Sequence, residues 1–307
     1  NFFLEYSPAS TNLQAFYVGI VNTLVVAMAG IFFASILGLI IGVARLSSNY
    51  LIRKMATVYI EIFRNIPILL QILFWYSIAL NAFPSPKNSI SFFDSIFLNS
   101  RGLYIPRPVI ETELYLVLAS FVIGIVSYIF IKKRSNKKHD ETGIVTNTTK
   151  HFLGLVVVLP IAAYFVFGAQ LEYPALKGFN FRGGTDLSVE FFALAFALSV
   201  YTATYIAEAI RSGIESVDSG QKEAAAAMGL TQAQSLRLVV LPQALRVAIP
   251  PIINQYLNLT KNSSLAAAVG YTELVTIFSG TVLNVVGQAI EIIILTMLVY
   301  LTISLVI

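Results

Sequence analysis

Long stretches without a charged residue are the feature that most constrains this chain. Five of them cover residues 6–44, 65–86, 114–131, 152–171 and 191–207. Each approaches or exceeds the roughly 20 residues that a helix needs to cross a bilayer. The stretches are apolar on all sides rather than at alternate positions, which predicts helices and not barrel strands. With 57% hydrophobic residues and a mean hydropathy of +0.77, the chain is predicted to be an all-α polytopic membrane helix bundle.

The distribution of basic residues predicts the orientation. About seven spans are expected, near residues 18–44, 58–80, 114–131, 152–168, 189–210, 247–270 and 288–307. If the N-terminus lies outside, thirteen of the twenty Lys and Arg fall in inner loops and five in outer loops. Because basic residues gather on the cytoplasmic side, the N-terminus is predicted to be periplasmic. Residues 274–290 are predicted to form a short outer or re-entrant helix. Since the chain begins at Asn1 without methionine and stops at Ile307 inside an apolar run, both ends are expected to be trimmed.

Several kinds of chemistry are missing from the sequence. It has no cysteine and only two histidines, His139 and His151, which lie in one polar loop. Thiolate catalysis is therefore excluded and no metal site is predicted. No G-x-x-x-x-G-K-[ST] segment occurs, so ATP would have to be bound by another chain. A membrane-embedded enzyme would need clustered acidic ligands or a nucleophile with a base, and neither is found.

The segment 218–251, between the fifth and sixth spans, starts too polar to lie in lipid. Asp218 and Gln221 are predicted to form a capping box, followed by an alanine-rich helix that ends at Gly229. A second helix is predicted after Thr231, with Gln234 as the partner in its capping box, and these residues define two short cytoplasmic helices. This second helix is expected to run to residue 241 and to be interrupted by the proline at residue 242.

These residues resemble the EAA loop of ABC importer permeases. With valine where isoleucine is usual, the defined positions are Glu223, Ala224, Ala225, Gly229, Val239, Leu241 and Pro242. In that family the loop, here residues 214–243, inserts into a groove on the ATPase. The resemblance implies this coupling role for all of those positions except Val239. The residues alone leave open a DNA-binding helix-turn-helix or merely a well-capped loop.

Three further stretches resemble the polar amino-acid permeases, which include histidine, glutamine and arginine importers. They are GIVNTLVVAMAG at 19–30, YIEIFRNIPILLQILFWY at 59–76 and NQYLNLTKNSSLAAAVGYTEL at 254–274. The resemblance implies type I ABC importer architecture with five core helices. The first two would lie in residues 1–83 and the others in 187–307. Residues 84–186 would be an insertion with an outer loop, a two-helix hairpin and a basic inner loop, as in the general L-amino-acid permeases.

The resemblance implies a permease subunit that moves L-amino acids across the bacterial inner membrane by alternating access. The implied partners are a cytoplasmic ABC ATPase dimer, a second and different permease chain, a periplasmic solute-binding protein, the amino acid and membrane lipid. ATP and Mg would be bound by the ATPase; no cofactor on this chain and no nucleic acid is implied. An ion-coupled secondary transporter or channel subunit is the alternative that the spans alone leave open. The basic loop at 132–150 is interpreted as a solvated positive-inside loop, with anionic lipid binding as the alternative.

Polar residues inside the predicted spans are the candidates for the substrate pathway. Lys261, with Asn262, Ser263 and Ser264, interrupts the sixth span. A charge within a span is costly in lipid, which favours a functional role. The alternative is a lysine that extends to the outer interface.

The second span contains another polar interruption. Arg64, Asn65 and Gln71 are predicted to line the substrate pathway, because a zwitterionic amino acid needs charged and polar partners in an apolar wall. For Arg64, a structural ion pair with Glu61 or Glu208 is at least as well supported.

Three further residues are predicted to be structural or gating rather than in contact with substrate. Pro67 removes a backbone donor within the second span. Glu208 and Arg211 are spaced i to i+3 at the inner end of the fifth span, where they are predicted to pair.

Overall fold

The computed structural model of the protein describes residues 10–109, 112–142, 148–168 and 170–307, with the side chains of 138–142 excluded. The α-helices are α1 Asn12–Arg45, α2 Tyr50–Asn65, α3 Ile68–Ala82, α4 Thr112–Thr142, α5 Thr149–Phe152, α6 Leu159–Phe167, α7 Val189–Glu215, α8 Ser219–Ala227, α9 Gln232–Ser235, α10 Leu241–Asn262, α11 Leu283–Val286 and α12 Ala289–Val306. Wider π-helical turns occupy Leu153–Val158, Leu236–Val240 and Thr276–Val282. Tighter 3-10 turns occupy Pro86–Asn88 and Ser263–Val269. The short strands are β1 Ile90–Phe92, β2 Ile96–Asn99, β3 Gly102–Ile105, β4 Arg107–Pro108, β5 Leu171–Glu172, β6 Ala175–Lys177, β7 Asn180–Arg182 and β8 Thr185–Ser188.

Within the described residues, six helices are long and apolar enough to cross a membrane. The number is seven if the bent pair α2 and α3 counts as one span. The prediction of a polytopic helix bundle with about seven spans is therefore confirmed. The chain divides into two compact units. Unit 1 comprises residues 1–85, 99–103 and 186–307, and unit 2 comprises residues 86–98 and 104–185.

Helix α7 is the centre of unit 1, and α1 runs parallel to it in close contact. The contact is made by small residues of α1 at four-residue intervals, Gly30, Ala34, Gly38 and Gly42, all of which are buried. A Cβ atom added at Gly38 would lie 2.5 Å from Cγ2 of Ile206. Such spacing lets two backbones approach closely, as in membrane helix pairs that lack a hydrophobic driving force. The hydroxyl of Ser199 donates to the Gly30 carbonyl at 3.3 Å across the same contact.

The predicted second span, 58–80, is divided between two helices, and the break falls at the interruption that was predicted around Pro67. Helices α2 and α3 meet at an angle of 103°. Pro67 has no N–H to continue the helix, and its ring disfavours helical backbone in the preceding residue. Ile66 accordingly has an extended conformation with ψ 128°. Gln71 stabilises the break, because its Nε2 donates to the carbonyls of Phe63 and Ile66 at 2.8 and 2.9 Å.

The predicted end of the second cytoplasmic helix at Leu241 is also wrong. Helix α9 passes through the π-helical turn into α10, and the apolar span is continuous from residue 232 to 269. The N–H of Leu241 donates to the Leu236 carbonyl five residues earlier. Pro242 therefore follows the π-helical turn directly, where the regular helical hydrogen-bond pattern is already interrupted and its missing N–H is tolerated.

In unit 2, α4 packs against α6 and against the π-helical turn Leu153–Val158 that precedes α6, and together they form a hairpin. Gly124 allows the contact, because an added Cβ would lie 2.0 Å from the Leu155 carbonyl oxygen. The basic segment predicted as an inner loop is partly helical, since α4 continues to Thr142. The side chains of Lys138 and His139, and all of residues 143–147, lie outside the described part. Antiparallel ribbons β1–β2, β4–β5 and β6–β7 complete the unit.

The segment predicted as a short outer or re-entrant helix, 274–290, contains an apolar helix of eleven residues, Thr276–Val286. That length is about half of what a span requires. The helix ends at Gly287, whose φ of 73° suits glycine. Leu274, Ile277 and Phe278 are buried in a cluster with the start of α1.

Candidate functional site

Helix α8 is an exposed helix with both ends capped. The Asp218 carboxylate accepts a hydrogen bond from the Gly220 N–H at 2.6 Å. The predicted capping box with Gln221 is not formed in the described part of the chain, because Gln221 makes no reciprocal side-chain contact there and only the aspartate cap is present. At the other end Gly229 has φ 78°, and the Leu230 N–H donates to the Ala225 carbonyl at 3.1 Å. The predicted stop at Gly229 is confirmed, because this left-handed geometry favours glycine.

Helix α9 begins with the predicted capping box. The Gln234 N–H donates to the Thr231 hydroxyl at 3.3 Å, and the Thr231 N–H donates to the Gln234 side chain at 2.9 Å. Two capped helices thus leave the end of α7 and enter α10. Beside them, the segment after α7, the π-helical turn Leu236–Val240 and the start of α10 pack together through Val217, Val240 and Ala244, which form a small buried cluster.

The outward face of this helix pair has no partner within the described residues. Glu223, Ala224, Leu241 and Pro242 are exposed, whereas Ala225 is buried with 3% exposure. Met228 is 82% exposed, and the space around Gly229 is open for 4 Å. An exposed methionine and alanine face beside an open glycine is typical of a surface that another protein covers.

A charged cluster lies near this helix pair, at the C-terminal end of α7. Glu208 pairs with Arg211 at 3.0 Å, as predicted, and with Arg45 of α1 at 3.5 Å. Arg211 also pairs with Glu215, and Arg45 donates to the hydroxyl of Thr57 in α2. The cluster joins α1 to α7 by an ion pair and α1 to α2 by a hydrogen bond, so a movement of one of these helix ends is resisted by contacts to the others.

Arg64 and Asn65 are exposed at the end of α2. Neither glutamate predicted as an ion-pair partner of Arg64 is seen in that role. Glu61 accepts from Asn65 at 3.3 Å, and Glu208 is held by Arg45 and Arg211. The Arg64 guanidinium instead lies 4.8 Å from the centre of the Tyr205 ring, within the range of a cation–π contact.

Gln71 is buried, and its amide nitrogen is used at the break between α2 and α3. Its Oε1, and Nε1 of Trp75 one turn further along, are buried without a hydrogen-bond partner in the described part of the chain. Pro67 creates the break itself.

The polar run in the sixth span coincides with a change of helix type. Lys261 and Asn262 end α10, and Ser263 and Ser264 begin the 3-10 turn. Lys261 is exposed, whereas Ser263 is fully buried and its hydroxyl donates to the Thr260 carbonyl at 2.7 Å. The four residues therefore differ in burial: Lys261 is exposed, Asn262 and Ser264 are half-buried, and Ser263 is buried.

A polar cavity of about 290 Å³ lies at the other end of unit 1. Its walls are Asn22 of α1, residues 186–188 just before α7, Glu190 and Phe191 in the first turn of α7, and the turn 270–272. Two acidic residues line it: Asp186 is exposed, and Glu190 is half-buried and accepts from the hydroxyl of Tyr76 at 3.2 Å. None of the substrate-pathway residues predicted from the sequence lines this cavity.

The turn that forms one wall is held by a buried carboxylate, Glu273. Its two oxygens accept from the backbone N–H groups of Val275 and Thr276, from the Thr276 hydroxyl and from the Tyr300 hydroxyl, at 2.7–3.0 Å. Burial raises the pKa of Glu273, and these hydrogen bonds oppose that effect. Asn22 fixes the same turn, since its Nδ2 donates to the Thr272 carbonyl at 2.6 Å.

Sequence reasoning missed Asn22, Asp186, Glu190 and Glu273. Asn22 and Glu273 each lie in a stretch that was used only for its resemblance. A signal was present, because a polar or acidic residue in an apolar segment is costly to bury without a specific partner. The glycine and alanine repeat of α1 was a second unused signal.

Comparison with known proteins identifies the family. Residues 30–307 match the model described as binding-protein-dependent transport system inner membrane component. The chain is 50% identical over 304 residues to the putative amino-acid ABC transporter permease protein YhdX of Escherichia coli K12, which covers 98% of this chain and 77% of that protein. It is 48% identical over 303 residues to the general L-amino acid transport system permease protein AapQ of Rhizobium johnstonii, with 98% and 76% covered.

The fold is similar to that of a solved amino acid ABC transporter whose crystal structure contains histidines. The TM-score is 0.55 at 20% identity, with 96% of this chain and 89% of that chain covered. This likeness concerns the fold, whereas the sequence matches cover almost the whole chain at high identity. The chain belongs to the family of inner membrane components of binding-protein-dependent transport systems, the permeases of ABC importers.

Proposed function

We propose that this chain is the permease subunit of an ATP-driven importer that carries L-amino acids across the bacterial inner membrane. The observation that carries the proposal is the exposed pair α8 and α9, which connects two membrane helices and presents an open glycine. The relatives named above as amino-acid permeases support the substrate class. The energy would come from a cytoplasmic ATPase dimer that binds ATP and Mg, with no cofactor on this chain.

The proposed coupling contact uses the outward face of the helix pair and the start of α10. The residues that would contact the ATPase are Glu223, Ala224, Gly229, Leu241 and Pro242. The buried Ala225 would pack α8 against the rest of unit 1. Because α8 and α9 lie between α7 and α10, a rigid-body movement of the ATPase would reach both helices. The ion pair between Arg45 of α1 and Glu208 of α7 would join α1 to this movement.

The rest of the assembly is proposed from the family. A second, different permease chain would complete the membrane part, and a solute-binding protein would deliver the amino acid at the periplasmic side. The N-terminus would be periplasmic, because the coupling helices must face the cytoplasmic ATPase. Residues 84–186 would be an insertion into the five-helix core.

Lys261, Asn262, Ser263, Ser264, Arg64, Asn65 and Gln71 remain the proposed substrate pathway. The exposed side chains of Lys261 and Arg64 are the best candidates for direct contact. The buried Gln71 would act by maintaining the bend between α2 and α3.

The test is reconstitution in liposomes of the chain with the ATPase, second permease and binding protein encoded beside it. ATP-dependent uptake of a mixed amino-acid pool is compared between wild type and the variants Glu223→Ala and Gly229→Asp. Asp94→Asn, an exposed acidic position in unit 2, is the matched control. We expect both loop variants to assemble and to lose most uptake. Glu223→Ala removes an exposed charge from the proposed contact. Gly229→Asp adds a charge at an open position, whose left-handed backbone aspartate adopts more readily than most residues.

Two outcomes contradict the proposal. Uptake that continues without ATP would favour an ion-coupled secondary transporter. Wild-type uptake in both loop variants would show that transport does not depend on the helix pair. Unchanged uptake in Asp94→Asn is required for either comparison to be interpreted.

A further inference from the structure

The cavity lined by Asn22, Asp186 and Glu190 lies far from the coupling helices. Helices α1 and α7 run parallel, with Gly38 against Ile206 and Gly42 against Ile210. Along α1, Asn22 is 23 residues from Arg45 of the inner charged cluster. At 1.5 Å per residue this is about 35 Å, slightly more than the hydrocarbon core of a bilayer. The cavity is therefore at the opposite membrane face from α8 and α9.

The charge of the cavity selects the kind of ligand. Two carboxylates, Asp186 and Glu190, line it, and no lysine or arginine is among the described residues of its walls. The N-terminus of α7 contributes about half a positive charge, which the two carboxylates outweigh. Ser188 already caps that terminus, since its hydroxyl accepts from the Phe191 N–H at 3.3 Å.

The geometry favours a small organic cation over a metal ion. The described residues contain no group of three His, Cys, Asp or Glu side chains that could hold a metal. The volume of about 290 Å³ is near the lower end of the roughly 300–1,000 Å³ of ligand pockets. An ammonium group has three donors, and the carboxylates with the hydroxyl of Ser188 or Thr272 offer matching acceptors.

The walls are held in place before any ligand arrives. Asn22 is 4% exposed and ties α1 to the carbonyl and the hydroxyl of Thr272 at 2.6 and 3.3 Å. The hydroxyl of Tyr271 donates back to the Asn22 carbonyl at 3.4 Å, and the buried Glu273 anchors the following turn. A site that is already ordered loses less entropy when it binds.

We infer that this cavity is an outer entry site that binds the α-ammonium group of the amino acid, through Asp186 and Glu190, before the substrate passes inward. The inference rests on the proposed function for the identity of the substrate. It adds a site that lies apart from Lys261 and Arg64 and that recognises the end of the molecule common to all amino acids.

The test uses two probes that separate the ends of an amino acid. L-alanine methyl ester has the ammonium without the carboxylate, and N-acetyl-L-alanine has the carboxylate without the ammonium. Binding to the purified permease–ATPase complex in nanodiscs is measured by saturation-transfer NMR without the binding protein. We expect the ester to bind and N-acetyl-L-alanine not to bind.

The variants are Asp186→Asn, Glu190→Gln and the double substitution, with Asp94→Asn as control. Each single variant loses one charge-assisted hydrogen bond to the ammonium, so the apparent Kd of the ester should rise at least about tenfold in each single variant and further in the double variant. Asp186 is exposed, so Asp186→Asn is expected to assemble even if the double variant does not.

Several results would overturn the inference: no binding of the ester to wild type, equal binding of both probes, or variants that bind the ester like wild type. Variants that lose stimulation by the binding protein but keep ester binding would assign the carboxylates to protein docking instead. Uptake by the wild-type complex is measured in parallel. If wild type imports amino acids with ATP and the ester results are negative, only the entry site fails and the proposed function stands.

Discussion

Helices α7 and α4 are both apolar enough to cross a membrane, yet they differ sharply in burial. In the most apolar 18-residue window of α7, 72% of the residues are buried, against 6% in α4. Helix α7 presents alanine, serine and threonine to its neighbours, whereas α4 exposes large side chains such as Leu118, Ile123 and Phe130. Because lipid is as apolar as leucine, hydropathy alone does not separate a core helix from a lipid-facing one. Small residues mark the helix that packs against protein.

The largest expected effect is at the α1–α7 contact. Gly38→Leu should lower the free energy of unfolding by about 3 kcal/mol or more, because the side chain would overlap Ile206. Thermal unfolding in detergent measures the change. Leu39→Val, at a neighbouring position that is 54% exposed, is the control and should unfold like wild type. Similar unfolding midpoints for Gly38→Leu and Leu39→Val would contradict the conclusion that small residues of α1 are needed for its contact with α7.

Glu273→Ala tests the polar part of the core in unit 1. It removes all four hydrogen bonds of the carboxylate and leaves the hydroxyl of the half-buried Tyr300 without this acceptor. A loss of roughly 2–4 kcal/mol is expected from the unpaired groups. Glu273→Gln keeps the shape and should cost less. Equal unfolding midpoints for the alanine and glutamine variants would contradict this account.

Gly124→Leu tests whether the hairpin of unit 2 depends on its own close contact. The added side chain would collide with the Leu155 backbone, so α4 should separate from the helix that follows it. We expect faster hydrogen exchange in residues 112–168 and a smaller loss, about 1–2 kcal/mol, in overall unfolding. Faster exchange in α1 and α7 as well would mean that the two units unfold together.

The smallest effect is expected on the exposed face of α4. Ile123→Val and Phe130→Leu exchange one lipid-facing apolar residue for another and should change stability by less than about 0.5 kcal/mol. Unfolding in nanodiscs is the measurement. A large loss at Phe130 would show that this face is covered by another chain, which would sharpen the contrast with α7 by giving α4 a protein partner.

The features that could be predicted from the sequence are local ones. The stop at Gly229, the Thr231–Gln234 capping box and the Glu208–Arg211 pair each depend on residues within four positions of one another. The resemblance carried the family, which the comparisons confirmed. The bend of 103° was missed although its cause, Pro67, was recognised, because the angle depends on where Gln71 finds carbonyls. The cavity was missed because Asn22 and Thr272 are 250 residues apart.

The hydrogen bonds of Gln71 make the bend between α2 and α3 rigid. One amide group holds the carbonyls of Phe63 and Ile66, so straightening the chain would leave both without this donor inside an apolar environment. The bend is thus expected to keep a fixed angle rather than to act as a hinge. During an import cycle, α2 and α3 should move together as one rigid body. Conformational changes would then occur in the segments that connect this pair to the preceding and following parts of the chain.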